Sequence, residues 1–259
     1  SQDEGETYSF PTPILDTVLD DRDVGLCPFG ESGLILTTFN VPNSSMKEWS
    51  ATHKDVDDEK IQAYMKGYMN TITDEEEKAA IGSWFRVSFD NGRTFGTPYK
   101  SPITSPHGPI ELQNGKILWV GNYHYPDQKN ENFSAAAYYI NPHDGTMEKI
   151  GVIPDFSYDG EEVGLCEIGT RQLRDGRIIA HIRNSKRFNI YQVVSFDDGR
   201  TWTEPKQILP NYGGAPSYIL EMPDGTLVAT YGYRSTKPYC LKVMFSKDKG
   251  ETWDTGYNL

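Results

Sequence analysis

Two short polar stretches of the sequence contain side chains that could transfer protons or bind an acidic group. The stretch DDRD ends in Asp21, Arg22 and Asp23, and the stretch SPHGPI contains His107. Carboxyl and imidazole groups are common general acids and bases, so Asp21, Asp23 and His107 are catalytic candidates. A guanidinium group pairs with a carboxylate through two hydrogen bonds, so Arg22 would bind an acidic substrate. The structural alternatives are a solvated turn before a strand for the two aspartates and a hydrogen bond to a neighbouring element for His107.

A repeated eight-residue motif indicates the elements that must position these side chains. The pattern S-x-D-x-G-x-T-[WF] occurs at Ser88–Phe95, Ser195–Trp202 and Ser246–Trp253. In a turn of this kind the Asp carboxylate accepts backbone N–H bonds, the Gly takes a left-handed conformation and the aromatic ring covers the turn. We therefore assign the motif to the fold and not to a reaction.

Strand–turn–strand patterns repeat along the chain with the same period. They are FGESGLILTTF from Phe29, LQNGKILWVG from Leu112, LRDGRIIAHIR from Leu173 and MPDGTLVATYG from Met222. Turn residues followed by apolar alternation indicate a hairpin. The turn glycines of the last two patterns are 49 residues apart, and those of the last two repeated motifs are 51 residues apart. A repeat of about 40 to 50 residues with four strands is typical of β-propeller blades.

The sequence thus predicts an all-β propeller of four-stranded antiparallel blades in a single domain, residues 1–259. Its units span about residues 16–100, 101–154, 157–210 and 211–259. The first unit has an insertion at about residues 43–82, where four apolar residues recur at helical spacing: Ile61, Tyr64, Met65 and Tyr68. Thr73 and Glu76 form a capping box for a further short helix.

Composition argues against several classes of partner. The formal net charge is −12, and without a basic stripe to neutralise phosphates the sequence does not favour nucleic acid. No apolar run is long enough for a membrane span. The first ten residues, SQDEGETYSF, lack the basic and apolar regions of a signal peptide, so the protein is cytoplasmic or its signal lies outside this sequence.

The cysteines do not indicate a metal or redox function. Cys27, Cys166 and Cys240 are odd in number, widely spaced and without C-x-x-C pairing. We therefore predict neither a zinc site nor a disulfide framework, and we assign all three to buried strand positions. No cofactor and no metal are indicated, and the sequence does not specify an oligomeric state.

The repeated motif and the phrase CEIGTRQLRDGRIIAHIR together resemble the sialidase superfamily of propellers with BNR repeats, over nearly the whole chain. The stretches LDDRDVGL, PHGPIELQNGKIL and APSYILEMPDGTLVATYGYR are similar to blade openings of these proteins. The resemblance implies a six-bladed propeller, a glycan substrate with a terminal acidic sugar, and an exported bacterial protein. In the family, one blade has a Glu nine residues before its turn Gly and an Arg seven residues after it. Glu167 and Arg183 match these offsets around Gly176. The resemblance implies that Glu167 polarises a tyrosine nucleophile and that Arg183 binds the sugar carboxylate.

Two family positions are not matched. Asp23 stands where the first blade of a sialidase has an Arg, and Pro216 stands where the last blade has the nucleophilic Tyr. Either the chain is an incomplete propeller whose opening and closing blades lie outside it, or the site is rebuilt for another sugar around the two polar stretches described first. Three further residues follow the turn Gly of their own units at offsets comparable to that of Arg183, and they are candidates for substrate binding: Arg234, Asn122 and Asn40.

Three hypotheses of function follow. The leading one is a glycoside hydrolase resembling exo-α-sialidase. The second is a hydrolase or lyase for uronic acid-containing polysaccharide that uses His107, Arg22 and the acidic pair. The third is a glycan-binding propeller without catalysis. For Glu167 the structural alternative is an ion pair with either Arg171 or Arg183.

Overall fold

The computed structural model describes residues 1, 3–52, 59–125, 134–158, 160–184, 189–210 and 216–259, and these form two compact units. The helical unit consists of Ser1–Asp21 and Asn40–Ile81, and the propeller unit consists of Arg22–Phe39 and Gly82–Leu259. The prediction of a single propeller domain over residues 1–259 stays a prediction, and each unit is described by itself.

The described strands form four four-stranded sheets, each with its strands in sequence order. The first sheet contains β1 (Asp20–Phe29), β2 (Gly33–Val41), β3 (Ser83–Ser88) and β4 (Tyr99–Ser101). The second contains β5 (Ile110–Glu111), β6 (Ile117–Asn122), β7 (Ala135–Ile140) and β8 (Met147–Ile153). A two-stranded sheet follows, formed by β9 (Ser157–Tyr158) and β10 (Glu161–Glu162). The third contains β11 (Leu165–Gln172), β12 (Ile178–Asn184), β13 (Ile190–Ser195) and β14 (Lys206–Leu209). The fourth contains β15 (Ser217–Glu221), β16 (Leu227–Tyr233), β17 (Cys240–Ser246) and β18 (Asp254–Asn258).

Successive antiparallel four-stranded sheets are the blades of a β-propeller, so the predicted all-β architecture is confirmed. The described residues form four blades, where the resemblance implies six. Three apolar clusters lie between successive sheets, and each draws side chains from two of them. Within the described residues no such cluster joins the fourth sheet to the first, and Val24 and Leu26 of β1 are mostly exposed.

The repeated motif forms a turn between the third and fourth strands of a sheet. In the copy at Asp197, the carboxylate accepts the Thr201 backbone N–H at 2.8 Å and the Ser195 hydroxyl at 2.9 Å. Gly199 has a φ of +91°, and its carbonyl accepts the indole N–H of Trp202 at 3.1 Å. These contacts confirm that the motif builds the fold.

A further copy of this turn lies in the helical unit, where the sequence analysis did not recognise it. The Asp3 carboxylate accepts the Thr7 backbone N–H at 2.9 Å, and the Ser1 hydroxyl accepts the Gly5 N–H at 2.8 Å. Gly5 has a φ of +95°. The copy ends in Tyr8 and so falls outside a pattern that ends in Trp or Phe. The hydrogen bonds, and not the aromatic residue, define the turn.

The predicted insertion is helical. It contains α1 (Asn43–Thr52), α2 (Glu59–Met69) and α3 (Asp74–Ala80). The Thr73 hydroxyl accepts the Glu76 N–H and the Glu76 carboxylate accepts the Thr73 N–H, which confirms the capping box. Residues 53–58 of the insertion and the side chain of Ile61 lie outside the described part of the chain. No described helix is long and apolar enough to cross a membrane.

One of the three cysteines is buried as predicted. Cys27 lies in the core between the first two sheets, whereas Cys166 and Cys240 are half-buried. The assignment of all three to buried positions is therefore wrong, because β11 and β17 each keep one side partly open to solvent. Burial raises the pKa of the Cys27 thiol to about 12, so this thiol is neutral and inert at physiological pH.

Candidate functional site

Neighbouring sheets approach one another closely at three glycines. Gly25, Gly108 and Gly169 each precede by four residues the apolar residue that opens the hairpin turn. A Cβ on Gly25 would lie 2.6 Å from the Gly108 nitrogen, and a Cβ on Gly169 would lie 2.9 Å from the Ser217 carbonyl oxygen. Such distances are too short for a side chain, so glycine is required where these strands meet.

Glu167 and Arg183 lie side by side on the first two strands of the third sheet. Cys166 pairs with Arg183 in the β11–β12 ladder, and a register shift follows between Cys166 and Gly169. The shift gives Glu167 a φ of +49° and directs its carboxylate to the Arg183 guanidinium, with a 2.6 Å separation between Oε2 and Nη1. The two side chains are 25% and 20% exposed, whereas the Glu167 Oε2 atom that contacts Arg183 is buried. The sequence left Arg171 and Arg183 as alternative partners of Glu167, and in the structure the partner is Arg183.

Asp23 occupies the corresponding position of the first sheet. It lies two residues before Gly25, as Glu167 lies two residues before Gly169, and its φ is +42°. Positive φ at a residue other than glycine is uncommon and costs about 1–3 kcal/mol, and it concentrates at functional sites. Asp23 is exposed, and it acts electrostatically on His107.

His107 lies where the first strands of the sheets converge. A Cβ on Gly169 would be 3.3 Å from its imidazole Cδ2, and the centre of its ring is 6.5 Å from that of the exposed Tyr218. Its Nε2 atom is buried and has no hydrogen-bond partner among the described residues. Burial lowers the pKa of His107, and the nearby Asp23 carboxylate partly opposes this shift. A neutral ring with an unused nitrogen is able to accept or donate a proton.

The hydrogen bond that we considered for His107 is made by its neighbour. The Ser105 hydroxyl donates to the Ile168 carbonyl of the third sheet at 2.5 Å, and it also accepts the His107 backbone N–H at 3.4 Å. Ser105 thus fixes the loop, and the imidazole is left available.

His181 is a buried residue that the sequence analysis did not consider. Its Nδ1 atom lies 2.7 Å from the Ser217 hydroxyl and its Nε2 atom 3.3 Å from the Gln192 side-chain oxygen. Burial lowers its pKa to about 3, so the ring is neutral. It joins the third sheet to the fourth and has a structural role. Its place within the apolar alternation of β12 is the only sequence signal of that role.

Several sequence candidates have other surroundings. In the helical unit, the Asp21 carboxylate accepts the Thr17 backbone N–H at 2.7 Å and the Thr17 hydroxyl at 3.0 Å, which caps a local turn. Asn40 is completely buried and its amide donates to the Ala80 carbonyl, so the expected sugar contact is not available to it. Asn122 is only 8% exposed, and its backbone pairs with Thr104. Both amides were selected by sequence offset, which does not report burial.

The two remaining candidates are surface residues of the propeller unit. Arg22 and Arg234 are exposed, and the Arg22 carbonyl accepts the Thr38 hydroxyl at 2.6 Å. Among the described residues, no group of three or more His, Cys, Asp or Glu side chains is placed to hold a metal ion.

Comparison with known proteins places the propeller among related folds. The model of the BNR repeat-like domain matches residues 46–259. A Dyadobacter fermentans protein of unknown function is 17% identical, with a TM-score of 0.61 over 92% of this chain and 64% of that one. The Hadza microbial sialidase Hz136 is 14% identical, with a TM-score of 0.59 over 99% of this chain and 52% of that one. A polysaccharide lyase of family PL25, an ulvan lyase, is 11% identical, with a TM-score of 0.51 over 93% of this chain and 57% of that one.

These identities establish a shared fold and nothing finer. The chain spans between about half and two thirds of the length of these three solved structures. No curated protein matches the chain.

Proposed function

We propose that this protein, which belongs to the BNR repeat-like family, is a glycan-acting enzyme. The reaction that we favour is hydrolysis of a terminal acidic sugar in the manner of an exo-α-sialidase. In this proposal the four described blades are part of a six-bladed propeller, which accounts for the unmatched opening and closing positions of the family pattern.

The ion pair between Glu167 and Arg183 carries this proposal. The pair lies across the first two strands of the third sheet, both side chains are partly exposed, and Glu167 keeps a strained backbone conformation. A largely buried pair that served stability alone would contribute little net free energy, because the cost of removing two charges from water offsets much of their attraction. That contribution is smaller than the cost of the strain, which favours a functional reason for the conformation.

Each member of the pair would have a distinct role. The Arg183 guanidinium would bind the carboxylate of the sugar through two parallel hydrogen bonds. The Glu167 carboxylate would accept the proton of a hydroxyl nucleophile as that oxygen attacks the anomeric carbon. The glycosidic bond breaks and the leaving oxygen takes a proton from water, and a water molecule then displaces the enzyme oxygen and releases the sugar. Pro216 stands at the family position of the nucleophile, so in this proposal a residue outside the four blades supplies the hydroxyl.

Turnover of an aryl α-sialoside by the full-length natural protein tests the assignment. We expect Glu167→Gln to lower kcat by at least about 100-fold, since general acid–base groups contribute about 10²–10⁴-fold. Glu204→Gln, which changes an exposed carboxylate in the connection between β13 and β14, is the matched control and should keep full activity. Undiminished turnover by a folded Glu167→Gln variant would overturn the assignment.

The surroundings of His107 favour a second candidate, a lyase for uronic acid-containing polysaccharide. In β-elimination, the neutral Nε2 atom of His107 would take the proton from C5 of the uronic acid. The bond from C4 to the leaving oxygen would break, a C4–C5 double bond would form, and the Tyr218 hydroxyl would protonate the leaving oxygen. Ultraviolet absorbance of the C4–C5 double bond in the product would separate this reaction from hydrolysis. Glycan binding without any product would instead favour the non-catalytic propeller.

A further inference from the structure

The helical unit contains an apolar pocket that the proposed function does not use. The pocket has a volume of about 200 Å³. Three methionines and two tyrosines from α1 and α2 form much of its wall: Met46, Met65, Met69, Tyr64 and Tyr68. Methionine side chains are unbranched and polarizable, so they adapt to the shape of an apolar molecule.

Helical spacing gathers these side chains on one wall. Met65 and Met69 are four residues apart on α2, as are Tyr64 and Tyr68, and residues four apart lie on the same face of a helix. Met69 is buried, whereas both tyrosines are exposed, so the methionines line the interior and the tyrosine rings form the rim. The Tyr68 hydroxyl donates to the Val18 carbonyl at 3.2 Å, which fixes one side of that rim.

One buried polar side chain lies in this largely apolar wall. Asn43, the first residue of α1, lines the pocket and is only 6% exposed. Its Nδ2 atom donates to the Met69 carbonyl at 2.9 Å, and its backbone N–H donates to the Glu77 carboxylate at 2.8 Å. Because a carbonyl can only accept, the contact with Met69 determines which end of the Asn43 amide carries the hydrogens. The Oδ1 atom is therefore an acceptor, and it has no partner among the described residues.

A buried acceptor without a donor is rare in folded proteins and implies a group that completes it. We propose that the pocket binds a small neutral molecule with an apolar body and one O–H or N–H group. That group would donate a hydrogen bond to the Asn43 Oδ1 atom. A cavity of about 150 Å³ is large enough for benzene, so this one accommodates a phenol-sized ligand. Asp20 is among the lining residues, and a negative charge so close to the pocket disfavours a ligand with its own carboxylate.

Phenol and toluene form a pair of probes that differ in the donor alone. Binding to the full chain is measured by ligand-observed NMR and calorimetry. We expect phenol to bind at least about fivefold more tightly than toluene, which is the effect of one hydrogen bond. The difference should disappear in Asn43→Leu, which removes the acceptor. It should persist in Asn70→Leu, which changes an exposed amide of the same unit.

A second variant keeps the test independent of the folding of Asn43→Leu. Met65→Trp fills the pocket from a half-buried position and should abolish binding of both probes while circular dichroism remains unchanged. Equal affinities of the wild-type protein for phenol and toluene would overturn the proposal. So would the absence of binding at millimolar concentration, which would leave a water molecule as the partner of Oδ1. None of these results depends on glycan turnover, so the proposal stands or fails separately from the proposed function.

Discussion

Asp23 and Glu167 have the same left-handed backbone conformation at equivalent places in two different sheets. Their φ angles are +42° and +49°, and each residue lies two positions before a glycine at which neighbouring strands touch. The shared geometry places one carboxylate on the first strand of the first sheet and another on the first strand of the third. The family pattern did not reveal this equivalence, because it has an arginine at the position of Asp23 and so does not align Asp23 with Glu167.

The strained backbone at Asp23 predicts that a substitution by glycine there does not destabilise the propeller. Asp23→Gly should leave the free energy of unfolding of the propeller unchanged or raise it by up to about 1 kcal/mol, because glycine adopts positive φ without steric cost. Glu148→Gly, at an exposed position of β8 without positive φ, should lower it by about 0.5–1 kcal/mol. Urea denaturation measures both. A loss of stability in Asp23→Gly equal to that in Glu148→Gly would show that the backbone there is not strained.

The close approach at Gly169 predicts that even one methyl group is not tolerated. Gly169→Ala should destabilise the propeller by about 1–3 kcal/mol, because its Cβ would meet the Ser217 carbonyl and the His107 ring. Gly67→Ala, in α2 with no atom within 4 Å of the added carbon, should instead be neutral or stabilising. Thermal denaturation compares the two. An unchanged Tm in Gly169→Ala would contradict the prediction, because it would mean that the strands can accommodate the added methyl group.

The neutral His181 predicts a loss of stability in mild acid. Its pKa is lowered from 6.5 to about 3, so the unfolded chain binds the proton more readily than the folded one. The stability that depends on the neutral ring is complete above about pH 6.5 and decreases as the pH falls towards 3. His181→Gln should therefore flatten the dependence of unfolding free energy on pH between 6.5 and 4. His143→Gln, at an exposed position, should not. An unchanged slope in His181→Gln would assign the acid sensitivity to other groups.

The blades, the repeated turns and the capping box could be predicted because their determinants are local. In each repeated turn the serine, aspartate, glycine and threonine lie within seven consecutive residues, and they bond to one another. The same holds for Thr73 and Glu76. Such patterns require no knowledge of distant neighbours. The copy at Ser1 to Tyr8 was missed only because the search pattern included an aromatic residue that the hydrogen bonds do not need.

The sequence by itself thus determined the blade architecture and indicated candidate site residues, among them Glu167, Arg183, Asp23 and His107. The tertiary structure decided between Arg171 and Arg183 as the partner of Glu167, left Nε2 of His107 without a partner among the described residues, and buried Asn40 completely. It also brought Asn43 and Met69 together across 26 residues to form the pocket wall. Burial and pairing of this kind depend on which strands and helices meet. That is a property of packing between segments distant in sequence, and local spacing does not encode it.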